Sequence, residues 1–94
     1  MLITINCFAD IRDVVGKEQI SVQLDPGSTL SDLFHHLSKT YGPPFDRQIK
    51  DQITQELVPF LILINGRAYR SITDMSTQLH DADVVTFLTP FDGG

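Results

Sequence analysis

The chain has a single cysteine, Cys7, and no tryptophan among its 94 residues. One cysteine cannot form an intramolecular disulfide, and it leaves a zinc or iron–sulfur site of the usual spacing without its thiolates. We therefore expect no metal site and a reducing, cytoplasmic environment. The sequence also lacks a basic leader and any run near the ~20 apolar residues of a membrane span, which predicts a protein that is neither exported nor inserted into a membrane.

Basic residues are also few. Seven Lys and Arg stand against 12 Asp and Glu, which gives a formal net charge of −5. Such a surface repels phosphate backbones and anionic lipids, so we expect no nucleic-acid partner and no membrane partner, whereas a basic protein partner is compatible with it. No Lys or Arg follows Arg70, while four aspartates do, so the acidic charge is concentrated toward the C-terminal end of the sequence.

Five segments have the alternating or continuously apolar character of β-strands, namely 2–8, 17–25, 60–64, 67–70 and 84–88. The apolar run 60–64 is followed by Asn65-Gly66, the dipeptide most favoured in a type I′ turn, which predicts a hairpin. Pro26-Gly27 ends the second strand.

One helix has a clear apolar stripe, over residues 29–41. Thr29 is a good N-cap with Asp32 three residues later, and Gly42 before two prolines ends the helix. A shorter helix is predicted over 9–15. Residues 45–58 repeat an apolar side chain every four positions, which fits either a second amphipathic helix or a loop lying on the core.

The resulting order is ββαβββ, which predicts an α+β fold with a mixed sheet and one main helix (about 29–41) packed on one face. The first and last strands are expected to lie side by side and parallel, joined by a right-handed crossover. This arrangement is the β-grasp, or ubiquitin-like, roll. We assign residues 1–89 to that domain and residues 90–94 to an extended C-terminal tail.

The sequence offers few groups for catalysis. His35 and His36 are adjacent on the polar face of the main helix, about 100° apart, which is poor geometry for a shared metal. His80 lies in a predicted turn beside two aspartates, where a hydrated turn is the favoured interpretation. Cys7 belongs to the inward set of the first strand and is expected to be an inert buried thiol. The chain is therefore not expected to be an enzyme by itself.

The tail Pro90-Phe91-Asp92-Gly93-Gly94 is the strongest candidate for function. Five residues reach about 17 Å at ~3.3–3.6 Å each, so the tail can enter another protein. Glycines without Cβ atoms pass through a narrow channel, and the Gly94 carboxylate becomes reactive once a partner activates it with ATP as an acyl-adenylate. Two glycines alone are common at frayed termini, but directly after the last strand of a β-grasp they indicate a working tail.

Four segments together resemble the MoaD/ThiS family of ubiquitin-like sulfur carriers. Residues 8–16 resemble the family's FA-x-[LV]-R-[ED]-x-x-G segment, residues 64–67 its VNG hairpin, residues 79–85 its L-x-DGDEV approach to the last strand, and residues 87–94 its F-x-P-P-V-x-GG tail. The departures are Ala82 for the usual Gly, Thr89 for the first Pro, and Phe91 for a smaller β-branched residue.

The resemblance implies that Gly94 is adenylated by a ubiquitin-activating-like (MoeB/ThiF-type) enzyme and converted to a thiocarboxylate with sulfur from a donor protein. The tail would then enter a MoaE-like large subunit of molybdopterin synthase and donate sulfur for the molybdenum or tungsten cofactor. Gly93 would be the channel residue, Phe91 an apolar plug, and Pro90 and Asp92 further contacts to partners. No stably bound cofactor is implied.

Other functions fit the same fold and tail. The chain could be a protein modifier conjugated through Gly94 to lysines, or a sulfur carrier for thiamine or another sulfur-containing metabolite. A purely structural binding module, for which the tail is dispensable, is the third alternative.

The apolar run 60–64 predicts a docking surface, because a sheet covered by one helix needs only one buried face. Either Phe60, Ile62 and Ile64 or Leu61 and Leu63 would face outward. We expect the outward set, together with Phe91, to contact a partner. The alternative is that segment 45–58 covers it.

Overall fold

The computed structural model describes residues 1–88, which form five strands and three helices. In chain order these are β1 (Leu2–Asn6), α1 (Ala9–Val15), β2 (Gln19–Gln23), α2 (Leu30–Tyr41), α3 (Pro43–Ile49), β3 (Leu61–Ile64), β4 (Arg67–Arg70) and β5 (Val84–Leu88). Every predicted strand is present. β1 ends before residue 8 because Phe8, in an extended conformation, is the N-cap of α1.

The strands form one mixed sheet in the order β2-β1-β5-β3-β4. β1 and β5 are parallel, with Ile5 level with Val85, and the other neighbouring strands are antiparallel. The first and last strands therefore lie side by side near the middle of the sheet, as predicted, and the β-grasp fold is confirmed.

One face of the sheet and α2 form the core. Phe34 of α2 lies at its centre, with ring-centroid distances of 4.9 Å to Phe87, 5.7 Å to Phe60 and 6.3 Å to Phe45. Such aromatic contacts add to the free energy gained by burying the rings. The fully buried side chains around them are Ile3, Ile5, Ile11, Leu30, Leu33, Leu37, Ile49, Ile62, Leu79 and Val85.

The ends of α2 are set by the residues that the sequence singles out. The Thr29 hydroxyl accepts a hydrogen bond from the Asp32 N–H at 3.3 Å, and the Asp32 carboxylate accepts one from the Thr29 N–H at 2.9 Å. This capping box satisfies amides that the first helical turn leaves free. Gly42, at φ 70°, separates α2 from α3, a backbone angle that a residue with a Cβ atom adopts at a cost.

Segment 45–58 combines the two predicted alternatives. Its first part is the end of α3, in which Phe45 and Ile49 are buried in the core. From Lys50 the chain is irregular and turns back, so that Lys50 pairs with Leu57 in an isolated antiparallel bridge. Hydrogen bonds from the amides of Thr54 and Ile53 hold the turn and lower the pKa of the Asp51 carboxyl.

The β3–β4 connection is the predicted hairpin turn. Asn65 and Gly66 have φ angles of 52° and 84°, and positive φ at both central residues defines a type I′ turn. The helices formed by residues 1–88 are all too short or too polar to cross a bilayer.

Candidate functional site

The predicted site residues Pro90, Phe91, Asp92, Gly93 and Gly94 lie outside the described residues. The boundary predicted between residues 89 and 90 also lies there. The described part of the site is the surface at the end of β5, from which the chain continues beyond Leu88. That surface is the described part of the domain from which the predicted tail follows in the sequence.

The outer face of the sheet carries apolar side chains at this end. Leu61 of β3 pairs with Leu88 of β5, and these side chains are 44% and 43% exposed. Leu63, two residues along β3, is half-buried on the same face. We call Leu61, Leu63 and Leu88 the exit patch. Phe8, which follows the parallel strand β1, is 51% exposed at the same end of the sheet.

The exit patch decides between the two predicted orientations of the apolar run. Phe60, Ile62 and Ile64 are buried in the core, so Leu61 and Leu63 form the outward set. Segment 45–58 does not cover Leu61, because its buried side chains Phe45 and Ile49 belong to the core on the helix side. An apolar surface left open on an otherwise polar domain indicates a protein interface.

A hollow of about 470 Å³ adjoins the exit patch, lined by Pro59, Leu61, Arg70 and Ile72 among others. Ser71 links the two chain segments that line the hollow. The buried Ser71 hydroxyl accepts a hydrogen bond from the Phe60 N–H at 2.9 Å and donates one to the Val58 carbonyl at 2.8 Å. This buried hydroxyl therefore ties the approach to β3 to the end of β4.

Arg70 and Ile72 belong to this surface although the sequence did not predict them there. Ile72 is an isolated apolar residue in a polar, turn-rich segment, and that contrast was the available signal. Arg70 places a guanidinium beside apolar side chains, a combination that is enriched at the centres of protein interfaces. The hollow thus gives the exit patch both an apolar wall and a positive charge.

The described aspartates toward the C-terminal end of the sequence are divided between the two ends of the sheet. Asp74 accepts a hydrogen bond from the Arg70 N–H at 2.7 Å, beside the hollow. Asp81 accepts a hydrogen bond from the Leu2 N–H at 2.8 Å, and Asp83 accepts one from the His80 N–H at 2.8 Å. Both lie before the start of β5, at the end of the sheet away from Leu88. These carboxylates therefore bind backbone amides at the far end of the domain.

Cys7 and the three histidines have the predicted surroundings. Cys7 is buried, 2% exposed, and burial raises the pKa of its thiol, so it is an inert core residue, as predicted. His35 and His36 are exposed on α2, which confirms the predicted solvated face, and His80 is exposed in its turn. Within residues 1–88 no three His, Cys, Asp or Glu side chains lie close enough together to hold a metal ion.

Comparisons with known proteins agree with this geometry. A model of the ThiS family matches residues 5–94. Small archaeal modifier protein 3 of Haloferax volcanii is 33% identical over 95 residues, which cover 100% of both chains. Among solved structures, SAMP1 from Haloferax volcanii has a TM-score of 0.80 at 22% identity with full coverage of both chains. The putative molybdopterin converting factor subunit 1 from Pyrococcus furiosus has a TM-score of 0.74 at 24% identity, covering 95% of this chain and 97% of that one.

Proposed function

The chain belongs to the ThiS family of ubiquitin-like sulfur carriers, and on that premise we propose that its Gly94 carboxylate carries sulfur as a thiocarboxylate. The observation that carries the proposal is the extent of the family match, which includes the whole Gly-Gly tail as far as Gly94. The exit patch supports it, because an activating enzyme needs a surface to hold beside the tail.

Activation is the first chemical requirement. A carboxylate with a reference pKa of ~3.3–3.7 is ionised at neutral pH and resists nucleophilic attack. In a MoeB/ThiF-type partner, a Gly94 oxygen attacks the α-phosphorus of ATP and pyrophosphate leaves, which forms an acyl-adenylate. Sulfur at the sulfide level from a donor protein then attacks the carbonyl carbon. AMP leaves with the electron pair of the broken C–O bond, and the thiocarboxylate remains.

The chain itself contributes a terminus whose carbonyl a partner's active site can reach. Gly93 and Gly94 have no Cβ atoms, so a partner's channel can enclose the backbone closely on both sides of the reacting carbonyl. Phe91, with Pro90 and Asp92, supplies the contacts at the base of the tail. The exit patch and the hollow beside Arg70 supply an apolar and positively charged surface that remains with the folded domain.

Molybdopterin synthesis is the proposed destination of the sulfur. We place the chain as the small subunit of a molybdopterin synthase, with a MoaE-like large subunit that receives the tail. The structural neighbour from Pyrococcus furiosus, a putative molybdopterin converting factor subunit 1, supports this assignment. The same proposal makes the chain a non-catalytic subunit, because partners supply both the activating and the sulfur-accepting active sites.

Conjugation to proteins is a second candidate function. It is favoured by the relative named small archaeal modifier protein 3, which is 33% identical over the full length of this chain. Both functions begin with the same acyl-adenylate and differ in the nucleophile that follows. Sulfide-level sulfur gives a carrier, whereas a lysine amine gives an isopeptide bond.

Intact mass spectrometry of the protein purified from its own cells tests the proposal. A carrier shows an oxygen-for-sulfur exchange located at Gly94, and this mass change is absent from a variant that lacks Gly94. A modifier shows isopeptide-linked adducts instead. An unmodified tail in cells that are making molybdenum cofactor would contradict both functions.

A further inference from the structure

The two edges of the sheet are protected differently. β4 is a four-residue edge strand with an Arg at each end, and edge charges discourage pairing with another chain. β2, the other edge, has the sequence Gln-Ile-Ser-Val-Gln, without charge or proline. Its register with β1 is continuous from Gln19 to Gln23, so no bulge interrupts it. β2 is therefore an unprotected edge.

The hydrogen bonds that flank the β1–β2 ladder identify the free backbone groups. The Cys7 N–H donates to the Glu18 carbonyl at 2.8 Å, and the Leu24 N–H donates to the Met1 carbonyl at 2.9 Å. Antiparallel ladders alternate, so the even-numbered residues of β2 face β1 with their backbone groups. Gln19, Ser21 and Gln23 consequently direct their N–H and C=O groups outward at the open edge.

A groove of about 470 Å³ runs between this edge and α2. Most of its lining residues are polar, and its accessible apolar surface comes from the partly buried side chains of Ile20 and Tyr41, with the buried Val22 and Leu37 beneath them. A strand added to the open edge would direct every second side chain toward this groove. The edge thus offers backbone pairing together with apolar contacts for alternate residues.

The charge of the groove helps to decide whether a peptide of another protein or a second copy of this chain would bind there. Lys17 lies at the end where β2 begins, and the groove's described lining residues include no carboxylate. The protein's net charge of −5 opposes self-association and also opposes a strongly acidic partner, so an acidic group in the occupant is confined to the position against Lys17. A second copy is also a poor fit, because its Ile20 and Val22 already belong to its own core and would not enter the groove.

We propose that the open edge of β2 and the groove beside α2 bind an extended peptide segment of another protein. Apolar and polar residues alternate along this peptide, and the apolar side chains lie against Ile20. An acidic residue of the peptide lies against Lys17. β1 lies between this edge and β5, the nearer of the two strands that carry the exit patch, so the peptide pairs with β2 without covering the surface near Leu88. The bound protein can therefore recognise the carrier while the tail remains available to its enzymes.

A synthetic peptide of alternating Val and Thr with aspartates at one end tests the proposal by NMR titration of the full chain. We expect saturable shifts in the amides of 19–23 and of the second half of α2, with slower hydrogen exchange at Ser21. Ser21→Pro removes an outward N–H while leaving the β1–β2 ladder bonds intact, a position where an edge strand tolerates proline. It should weaken binding about tenfold, the usual scale of one lost hydrogen bond, whereas Ser21→Ala should bind normally.

Two further measurements do not depend on the folding of the proline variant. A peptide N-methylated at alternate amides cannot pair along the edge and should lose binding. Lys17→Glu should reverse the preference between the Asp-flanked peptide and a Lys-flanked one, with Lys50→Glu as the control. Equal binding by Ser21→Pro and Ser21→Ala, equal binding of the methylated peptide, or shifts confined to the exit patch would overturn the proposal. Protection of Ser21 that grows with protein concentration alone would also overturn it, because the occupant would then be a second copy.

Discussion

The side-chain amide of Asn65 donates a hydrogen bond to a carboxylate oxygen of Asp83, 2.8 Å away, although 18 residues separate them in the chain. The Asn65 side-chain oxygen accepts a bond from the Val84 N–H at 2.9 Å, and the second Asp83 oxygen accepts one from the His80 N–H at 2.8 Å. The type I′ turn after β3 is thereby fastened to the turn before β5. Two of the segments that resemble the family are thus one structural unit.

Asp83→Ala tests the importance of this unit. The substitution leaves the Asn65 amide and the His80 N–H without their charged acceptor in a partly buried place, and such a loss costs about 1–3 kcal/mol. We expect the free energy of unfolding in urea to fall by that amount. Asp13→Ala, which changes an exposed aspartate of α1, should alter it by less than about 0.5 kcal/mol. Equal stabilities of the two variants would contradict the role assigned to Asp83.

Ala82→Gly is expected to stabilise the protein. Ala82 has a φ of 70°, in the left-handed region, at the position where the family pattern has glycine. An L-residue pays about 1–2 kcal/mol there, and glycine's extra backbone entropy cancels only part of the gain, so we expect a net increase of up to about 1 kcal/mol. Urea denaturation measures it. Ala68→Gly in β4 is the control and should lower stability, and a loss of stability in Ala82→Gly would rule out strain at this position.

The elements with local signals could be predicted from the sequence. The capping box at Thr29, the glycine that ends α2 and the Asn65-Gly66 turn each depend on residues within four positions of one another, and all three are present. The parallel pairing of β1 with β5 followed from the order of the elements, because a helix on one face leaves few ways to arrange the strands.

The remaining features depend on contacts between distant segments. Segment 45–58 had a helical period throughout, yet α3 ends at Ile49, and the chain then turns so that Leu57 pairs with Lys50. The choice of Leu61 and Leu63 as the outward set depended on which side of the sheet α2 covers. The buried hydroxyl of Ser71 had no signal in the sequence, because its hydrogen-bond partners, Phe60 and Val58, lie 11 and 13 residues earlier in the chain.

The buried thiol of Cys7 should make stability depend on pH in the alkaline range. Burial raises its pKa in the folded protein, so the unfolded chain loses the proton at a lower pH, near the ordinary value of ~8.5. The thiol's contribution is therefore complete below the unfolded pKa and is lost as the pH rises through the folded pKa. Urea denaturation of the wild type and of Cys7→Ala at pH 7 to 10 measures this. Their difference in unfolding free energy should shrink as the pH rises, and a constant difference would contradict an effect of thiol ionisation.

Leu61→Asp should prevent binding of the adenylating enzyme while the domain stays folded. Leu61 belongs to the exit patch and lies opposite Arg70 in the β3–β4 register. A carboxylate there replaces an apolar contact, and both it and the neighbouring guanidinium must lose hydration when a partner covers them. Leu2→Asp is a matched control, because Leu2 is 46% exposed on β1, at the opposite end of the sheet. We expect both variants to lose less than about 1 kcal/mol of stability, and calorimetry should show that only Leu61→Asp loses binding. Equal affinity of the two variants would place the interface elsewhere.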